Sequence, residues 1–175
     1  MKTAKEMIDF ASANKCKMTK AMMKGVDVVV QNLSGGEEVV YCIGAFAENE
    51  SSSQIAFAIT NLRIIAAQKK MFSDTVVTIP TNHINDVTMK GKLTGDYITI
   101  GNTSGENLTI SVYKGLGGDV VNILNKIMGA TNSAKDESKQ ESNAADEIRK
   151  FKSLLDDGII TEEEFIKKKK QLLGL

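Results

Sequence analysis

Apolar and polar residues alternate along the middle of the chain, between Glu37 and Tyr113. A period of two is typical of strands with one buried face, and turn residues separate the runs at short intervals. The predicted strands cover residues 39–45, 54–60, 62–68, 76–79, 86–93, 97–101 and 107–113. Because short turns join antiparallel neighbours, the pattern predicts a mainly β domain, a seven-stranded antiparallel barrel or sandwich with additional helices.

A helical pattern precedes this block, with apolar residues at steps of three and four that end before the glycines at 35 and 36. The triplet Val28–Val30 also fits a strand, so the last turns stay open. Several lysines accompany the methionines, which suits a helix that covers an open side of the barrel, an interfacial helix or an adaptable protein-binding helix. The residues concerned are Lys15, Lys17, Met18, Lys20, Met22, Met23, Lys24, Val26, Val29 and Leu33.

A second helix is predicted directly after the last strand. It begins at Gly117–Asp119, and we expect Gly129 to end it. We expect Val121, Leu124 and Ile127 to pack this helix against the barrel. The tract that follows, residues 131–143, contains Ala134 as its one apolar residue. Such a composition predicts a flexible linker, or a helix only by continuity with a neighbouring one.

The last segment, residues 144–175, predicts a helical hairpin. Apolar residues recur at helical spacing up to Asp157-Gly158, which breaks the pattern, and Thr161 with Glu164 has the spacing of a capping box. Two helices this short bury too little surface to be stable alone. They need a partner surface, either another chain or the body of the same chain. The candidate contact residues, called the tail set below, are Phe151, Leu154, Leu155, Ile160, Phe165 and Leu172.

A calcium site is the alternative for this loop, because Asp157-Gly158 and Glu164 match the second half of an EF-hand. With Gly158 placed on the invariant glycine, Ser153 and Leu155 fall on the first ligand positions. Leucine offers no oxygen to a hard cation and few carboxylates remain, so we expect no calcium site.

The overall composition narrows the class of protein. At 175 residues the chain accommodates one ordinary domain plus appendages, and its net charge of zero and lack of Trp argue against nucleic-acid binding. Cys16 and Cys42 form no zinc motif, and we expect no metal and no cofactor. The start of the chain does not resemble a signal peptide and no apolar run has the length of a membrane span, so we expect a cytoplasmic protein.

Residue types that often carry catalysis occur in contexts typical of loops and turns. Ser51–Ser53 lies between two predicted strands, and His83 follows Pro80 in a turn. Gly115–Gly118 precedes a helix but lacks the third glycine and the parallel unit of a dinucleotide loop. We therefore expect no catalytic residues and no enzymatic activity.

One loop combines charge with exposed apolar residues. Lys69, Lys70, Met71 and Phe72, called the tip below, lie between the third and fourth predicted strands. This composition suits contact with a membrane surface or a protein groove. Lys90 is a candidate to extend the basic patch of Lys69 and Lys70.

The hairpin residues resemble the short C-terminal domain (SHOCT) of bacterial and phage proteins. The resemblance runs through Leu154–Gly158, then Ile160–Phe165, Lys168 and Leu172-Leu173. It implies an oligomerisation or interaction appendage without catalytic residues.

The block of strands and its closing helix resemble bacterial pleckstrin-homology (PH) domains of the YokE-like type, over about 36–130. The matching residues are Glu37–Val39, Ile59–Ile65, Ile79-Pro80 and Ile84–Val87. In the second of these, we expect Thr60-Asn61 to form a tight turn, Arg63 to present its charge outside, and Leu62 and Ile64 to face the core. The basic first hairpin that binds phosphoinositides in eukaryotic relatives is replaced here by Glu48 and Glu50, so we expect no specific phosphoinositide site.

The sequence thus predicts four parts with different roles. They are an N-terminal helical extension (1–35), a PH-like domain (36–130), a linker (131–143) and a SHOCT hairpin (144–175). The predicted function is non-catalytic binding, with the barrel and hairpin mediating self-assembly or recruitment of a protein partner. The alternative is peripheral membrane binding through the N-terminal helix and the tip.

Overall fold

The computed structural model describes the backbone of residues 1–48, 53–156 and 159–172, without the side chains of 131–147, 150 and 172. Glu50, Ser51 and Ser52 thus lie outside the described residues. The chain forms two compact units, Met1–Met128 and Gly129–Leu175. The helices are α1 (Ala4–Ala13), α2 (Lys20–Gln31), α3 (Gly117–Asp156) and α4 (Glu162–Leu172). The strands are β1 (Val39–Ala47), β2 (Ser53–Thr60), β3 (Arg63–Lys69), β4 (Asp74–Pro80), β5 (Ile84–Lys92), β6 (Gly95–Asn102) and β7 (Leu108–Val112).

The seven strands form one antiparallel sheet in the order β4-β3-β2-β1-β7-β6-β5. The sequence-based prediction of seven antiparallel strands between residues 37 and 113 is therefore confirmed. The chain order is kept on each side of the β1–β7 contact, which leaves β4 and β5 as the two edge strands. A short 3₁₀ turn, Thr81–His83, connects them.

Strands β1 to β3 are buried on both faces. One face contributes Tyr41, Ile43, Phe57 and Ile64, among others, to the barrel core, where Val120 and Leu124 of α3 join them. The opposite face contributes Cys42, Ala56, Ala58, Ile65 and Ala67 to a second core that also contains Met7, Val26 and Val29 of the N-terminal helices. Double burial explains why these strands are almost continuously apolar.

The N-terminal region contains two helices where the sequence pattern predicted one. Thr3 and Glu6 form a capping box at the start of α1, and the Thr19 side chain caps α2. Between them the chain turns at Lys15, whose φ of 59° lies in the left-handed region. Val28–Val30 belongs to α2, which settles the open alternative in favour of helix. The buried Met22 and Val26 show that α2 covers the sheet.

Gly25 allows α2 to approach the sheet closely. A Cβ atom added at this position would lie 2.7 Å from the carbonyl oxygen of Ala67 and 3.0 Å from the backbone nitrogen of Ala56. The Ala56 Cβ would lie 3.2 Å away. The helix therefore packs almost directly on the backbone of β2 and β3, and its position depends on a residue without a side chain.

The start of α3 is tied to the barrel by Asp96. Its buried carboxylate accepts hydrogen bonds from the backbone N–H groups of Gly115 (2.8 Å) and Gly117 (3.1 Å). The glycine-rich segment is thus a turn and helix entry. Of the residues expected to pack on the barrel, Leu124 is fully buried and Val121 and Ile127 are partly buried. Val120 is the second fully buried contact.

Gly129 does not end the closing helix, so this prediction is wrong. The backbone of α3 stays helical to Asp156, which includes residues 131–143. A single glycine costs a helix only about 1 kcal/mol, and no proline follows to break it. Helix by continuity was one of the two forms expected for 131–143, and the role of this tract as a linker stays a prediction.

In the second unit, α4 begins with the capping box that the sequence predicts. The Thr161 N–H donates to Glu164 Oε2 (2.9 Å), and the Glu164 N–H donates to Thr161 Oγ1 (3.3 Å). The hydrogen bonds that the Glu164 carboxylate accepts from the Thr161 N–H and from the Thr161 hydroxyl (3.1 Å) lower the pKa of Glu164. Asp157 and Gly158, predicted to interrupt the helical pattern, lie outside the described residues.

Candidate functional site

Among the described residues, a buried ion pair joins Glu37, just before β1, to Arg63, the first residue of β3. The Glu37 carboxylate accepts hydrogen bonds from Arg63 Nε (2.9 Å) and Nη2 (2.9 Å), from Thr60 Oγ1 (2.8 Å) and from the Ser34 N–H (2.9 Å). Arg63 Nη2 also donates to the carbonyl of Asn32 (2.6 Å). The cluster thus fastens the segment after α2 to the turn between β2 and β3.

These donors stabilise the charged form of Glu37. The hydrogen bonds from Arg63 contribute most and outweigh burial, which alone would raise the pKa. Together with Ser34, Thr60 and the charge of Arg63 they lower the pKa of Glu37 to about 2. The Glu37 carboxylate and the Arg63 guanidinium are paired with each other. We therefore assign the cluster a structural role and no ligand.

The expected orientation of the neighbouring residues needs correction. Arg63 is paired with a buried carboxylate instead of presenting its charge outside, and Leu62 is 51% exposed instead of facing the core. The reason is the turn chemistry of Thr60, whose Oγ1 accepts the N–H groups of both Leu62 (3.0 Å) and Arg63 (2.9 Å). This places Leu62 in the turn. Ile64 is fully buried, as predicted.

The tip protrudes from the barrel between β3 and β4. Its base is closed by the Lys69–Asp74 ion pair (3.0 Å) and by a hydrogen bond from the Lys70 N–H to the Ser73 carbonyl (3.1 Å). At its end, Met71 is 90% exposed and Phe72 is 94% exposed. Two adjacent large apolar side chains held this far into solvent form a surface suited to contact with another apolar phase.

A cleft of about 580 Å³ separates the tip from the N-terminal helices. Lys24 of α2 lines it together with Lys69, Lys70 and Met71, and Asp27 adds one acidic group. The fold thus brings together the tip and one of the N-terminal lysines. The sequence pattern gives no indication of this proximity. Lys90 does not join them, because it lies with Lys92 in a different cleft on the β5–β6–β7 face.

The tail set is only partly covered. Phe151, Leu154, Leu155, Ile160 and Phe165 are half-buried, and the Leu172 side chain is not described. Lys168 Nζ lies 5.7 Å from the centre of the Phe151 ring, which brings α3 and α4 together at this point. Two further apolar residues are more exposed, Ile159 at 67% and Ile166 at 46%. The sequence pattern did not single out these two as contact residues.

The two cysteines are buried in different cores. Burial raises the pKa of Cys42 to about 12 and also raises the pKa of Cys16, so both thiols stay protonated at neutral pH. Cys16 Sγ accepts a hydrogen bond from the Gly44 N–H (3.3 Å) and serves packing against β1. His83 is exposed in the 3₁₀ turn. Over the described ranges, no three His, Cys, Asp or Glu residues gather as metal ligands.

The described helices include none with the length and apolar character needed to span a bilayer.

Comparison with known families assigns two segments. Residues 33–133 match the family model described as a bacterial PH domain, and residues 146–173 match the model described as a short C-terminal domain, SHOCT. The first match covers more than half of the chain.

Among solved structures, the chain is similar to the crystal structure of the C-terminal domain of an unknown protein from Leishmania infantum. The two share 12% sequence identity with a TM-score of 0.46, over 60% of this chain and 92% of the other. The comparison with curated proteins finds no match.

Proposed function

The chain belongs to the bacterial PH domain family, and from this premise we propose that it is a non-catalytic binding protein whose tail hairpin mediates self-assembly. The two family matches confirm the resemblances drawn from the sequence, a PH domain followed by a SHOCT domain. Both are in general non-catalytic modules with binding or adaptor roles. The assignment of self-assembly to the hairpin is our proposal.

The observation that carries this proposal is the incomplete burial of the tail set. Within the described part of the second unit, Phe151, Leu155 and Phe165 are only partly buried, and Ile159 and Ile166 are more exposed. The apolar surface left on the end of α3 and on α4 favours coverage by another molecule, at roughly 25 cal/mol for each Å² removed from water.

The charges of α4 favour a second copy as the covering molecule. Its first turn carries Glu162–Glu164, and its last turn carries Lys169 and Lys170. When two such helices associate antiparallel, the acidic start of one lies beside the basic end of the other. The helix is therefore complementary to itself in charge as well as in apolar surface.

Replacing Phe165 with Asp tests this proposal. An aspartate on the apolar side of α4 should lower the mass of the assembly in light scattering while the circular dichroism of the barrel is unchanged. Ser153→Asp is the matched control. Ser153 is exposed, and its replacement by Asp adds the same charge to the same unit. An unchanged mass with a lowered melting temperature would instead show that the hairpin docks on its own chain, and self-assembly through the hairpin would be wrong.

A second function, peripheral binding to an anionic membrane surface, is favoured by the geometry of the tip. Met71 and Phe72 are the most exposed large apolar side chains among the described residues, and Lys24, Lys69 and Lys70 line the cleft behind Met71. Apolar residues that insert between headgroups, backed by lysines, are the combination that holds peripheral proteins on such membranes.

We expect Phe72→Asp to reduce the fraction of protein that sediments with vesicles containing phosphatidylserine, by about tenfold in apparent affinity. The variant loses an aromatic side chain that would insert into the membrane and gains a charge that the anionic headgroups repel. The two effects together cost more than about 1.4 kcal/mol of binding free energy. Leu93→Asp is the control, because Leu93 is 89% exposed on the turn between β5 and β6. Equal losses for the two variants, or binding that does not weaken with added salt, would contradict a membrane role for the tip.

A further inference from the structure

Strand β5 is an edge strand whose side chains are mostly exposed, with Val87 packed against the barrel core. Among the described strands it hydrogen-bonds to β6 alone, so the other side of its backbone has no paired strand in that part of the chain. From Asn85 to Lys92 every residue is exposed except Val87, which is half-buried. An edge of this length is a template for pairing with another strand unless the fold protects it.

Two charged side chains of this edge, Asp86 and Lys90, lack an ion-pair partner among the described residues. Asp86 and Lys90 point to the same face, but four residues at about 3.3 Å each place them about 13 Å apart along the strand. In the part of the chain that the structure describes, neither side chain has an ion-pair partner. Lys92, by contrast, is engaged, since its Nζ lies 3.7 Å from the centre of the Tyr97 ring.

An antiparallel alignment of β5 with itself, centred on Thr88, satisfies these groups. It places Asp86 opposite Lys90 of the second copy and, by symmetry, Lys90 opposite its Asp86. On the other face it places Val87 opposite Met89, which is 45% exposed in one chain. At the two-fold axis the Thr88 side chains face each other. Opposite-charge, apolar and Thr–Thr pairs are all favourable across antiparallel strands.

We propose that β5 pairs antiparallel with β5 of a second copy, in the register centred on Thr88, so that two barrels share one continuous sheet. The interface is isologous, because the same edge serves both copies. It is independent of the tail hairpin and adds a second self-association surface to the barrel itself.

Other registers of β5, and self-pairing of the edge strand β4, bring together fewer complementary side chains. A centre on Met89 places Asp86 opposite Lys92, which already contacts Tyr97, and pairs Val87 with Gly91. A centre on Val87 places the charge of Asp86 opposite Thr88. Edge strand β4 carries no charged residue between Thr75 and Ile79, so nothing in its charge pattern specifies self-pairing.

Disulfide crosslinking tests the register in the full-length chain. Opposite residues of an antiparallel pair have Cα atoms about 4.5–5.5 Å apart, within reach of a disulfide. Thr88→Cys should therefore give a covalent dimer on mild oxidation, while the native Cys16 and Cys42 are buried. Thr99→Cys, one strand further from the axis on β6, is the control and should stay monomeric on denaturing gels. Crosslinking of a Met89→Cys chain in preference to the Thr88→Cys chain would overturn the register.

Charge exchange tests the interface without cysteines. In the Phe165→Asp background, which removes the contribution of the hairpin, Asp86→Lys and Lys90→Asp should each weaken dimerisation about tenfold, because each creates like-charge pairs across the axis. The double exchange Asp86→Lys/Lys90→Asp should restore the affinity, and Lys92→Asp should change it little. Weakening by both single variants without rescue by the double exchange would overturn the proposal, as would the absence of any effect.

Failure of this test and failure of the hairpin proposal are distinguishable. The hairpin is probed by Phe165→Asp alone, and the edge is probed by residues of the other compact unit.

Discussion

Replacing Glu37 with Gln should lower the free energy of unfolding of the barrel by about 2–4 kcal/mol at pH 7. The fall of its pKa from 4.5 to about 2 measures how strongly the fold favours the charged carboxylate, at 1.36 kcal/mol for each pKa unit. The amide cannot pair with Arg63, whose guanidinium would stay in a largely buried position without its counter-charge. Urea denaturation followed by circular dichroism measures the loss.

The stabilisation by Glu37 should depend on pH in a definite direction. A carboxyl with a lowered pKa in the folded state stabilises the protein fully above the unfolded value, and this stabilisation is lost as the pH falls from 4.5 towards about 2. The stability difference between the native chain and Glu37→Gln should therefore shrink over that range. Glu38→Gln is the control, since Glu38 is exposed and its ion pair with Lys2 (3.1 Å) contributes little. Equal losses for the two variants would contradict a special role for Glu37.

Gly25→Ala should destabilise the barrel by about 2 kcal/mol, although alanine is the better helix former. Helix propensity alone predicts a gain of about 1 kcal/mol in an exposed helix. Here the new Cβ would lie 2.7 Å from the Ala67 carbonyl oxygen, a backbone atom that cannot rotate away. Helix α2 must move off β2 and β3, which opens the second core.

The control for this prediction is Gly35→Ala. A Cβ at Gly35 meets nothing within 4 Å, and its φ lies outside the left-handed region. We expect its midpoint in urea to stay within error of the native chain. A gain in stability for Gly25→Ala would show that α2 tolerates a looser contact with the sheet and would contradict the packing described above.

The strands could be predicted from the sequence because each carries a local signal. Apolar runs bounded by turn residues located all seven, with ends that differ by a few residues from those observed. Helix α1, which is absent from the sequence-based prediction, also carries a local signal. Thr3 and Glu6 have the spacing of a capping box, which marks the start of α1.

The remaining features depend on contacts between distant residues. Glu37 and Arg63 are 26 positions apart. Both belong to the segments that resemble PH domains, but nothing in the sequence indicates that their side chains contact each other. The joint cleft of Lys24 with the tip depends on where α2 packs, and the isolation of Lys90 depends on the strand order. Periodicity reports which face of an element is buried, but it does not report which elements become neighbours.

The prediction that α3 ends at Gly129 is wrong for a different reason. A glycine alone is only a weak helix breaker, and a C-cap of this kind needs a left-handed residue and its hydrogen bonds. The positive φ values are found at Gly36, Gly105 and Gly115 among the described glycines. The glycines at 35 and 36 do not cap α2 either, because the helix ends at Gln31 and its C-cap is Asn32.

The central claim is that the tail hairpin assembles the chain, and the most direct test is the light-scattering mass of the chain with and without residues 131–175, at equal molar concentration. We expect the full chain to form a larger number of copies per particle than the shortened chain, whose remaining association is that of β5. If the two masses differ only by the mass of the removed segment in each copy, the hairpin does not assemble the protein and the account is wrong.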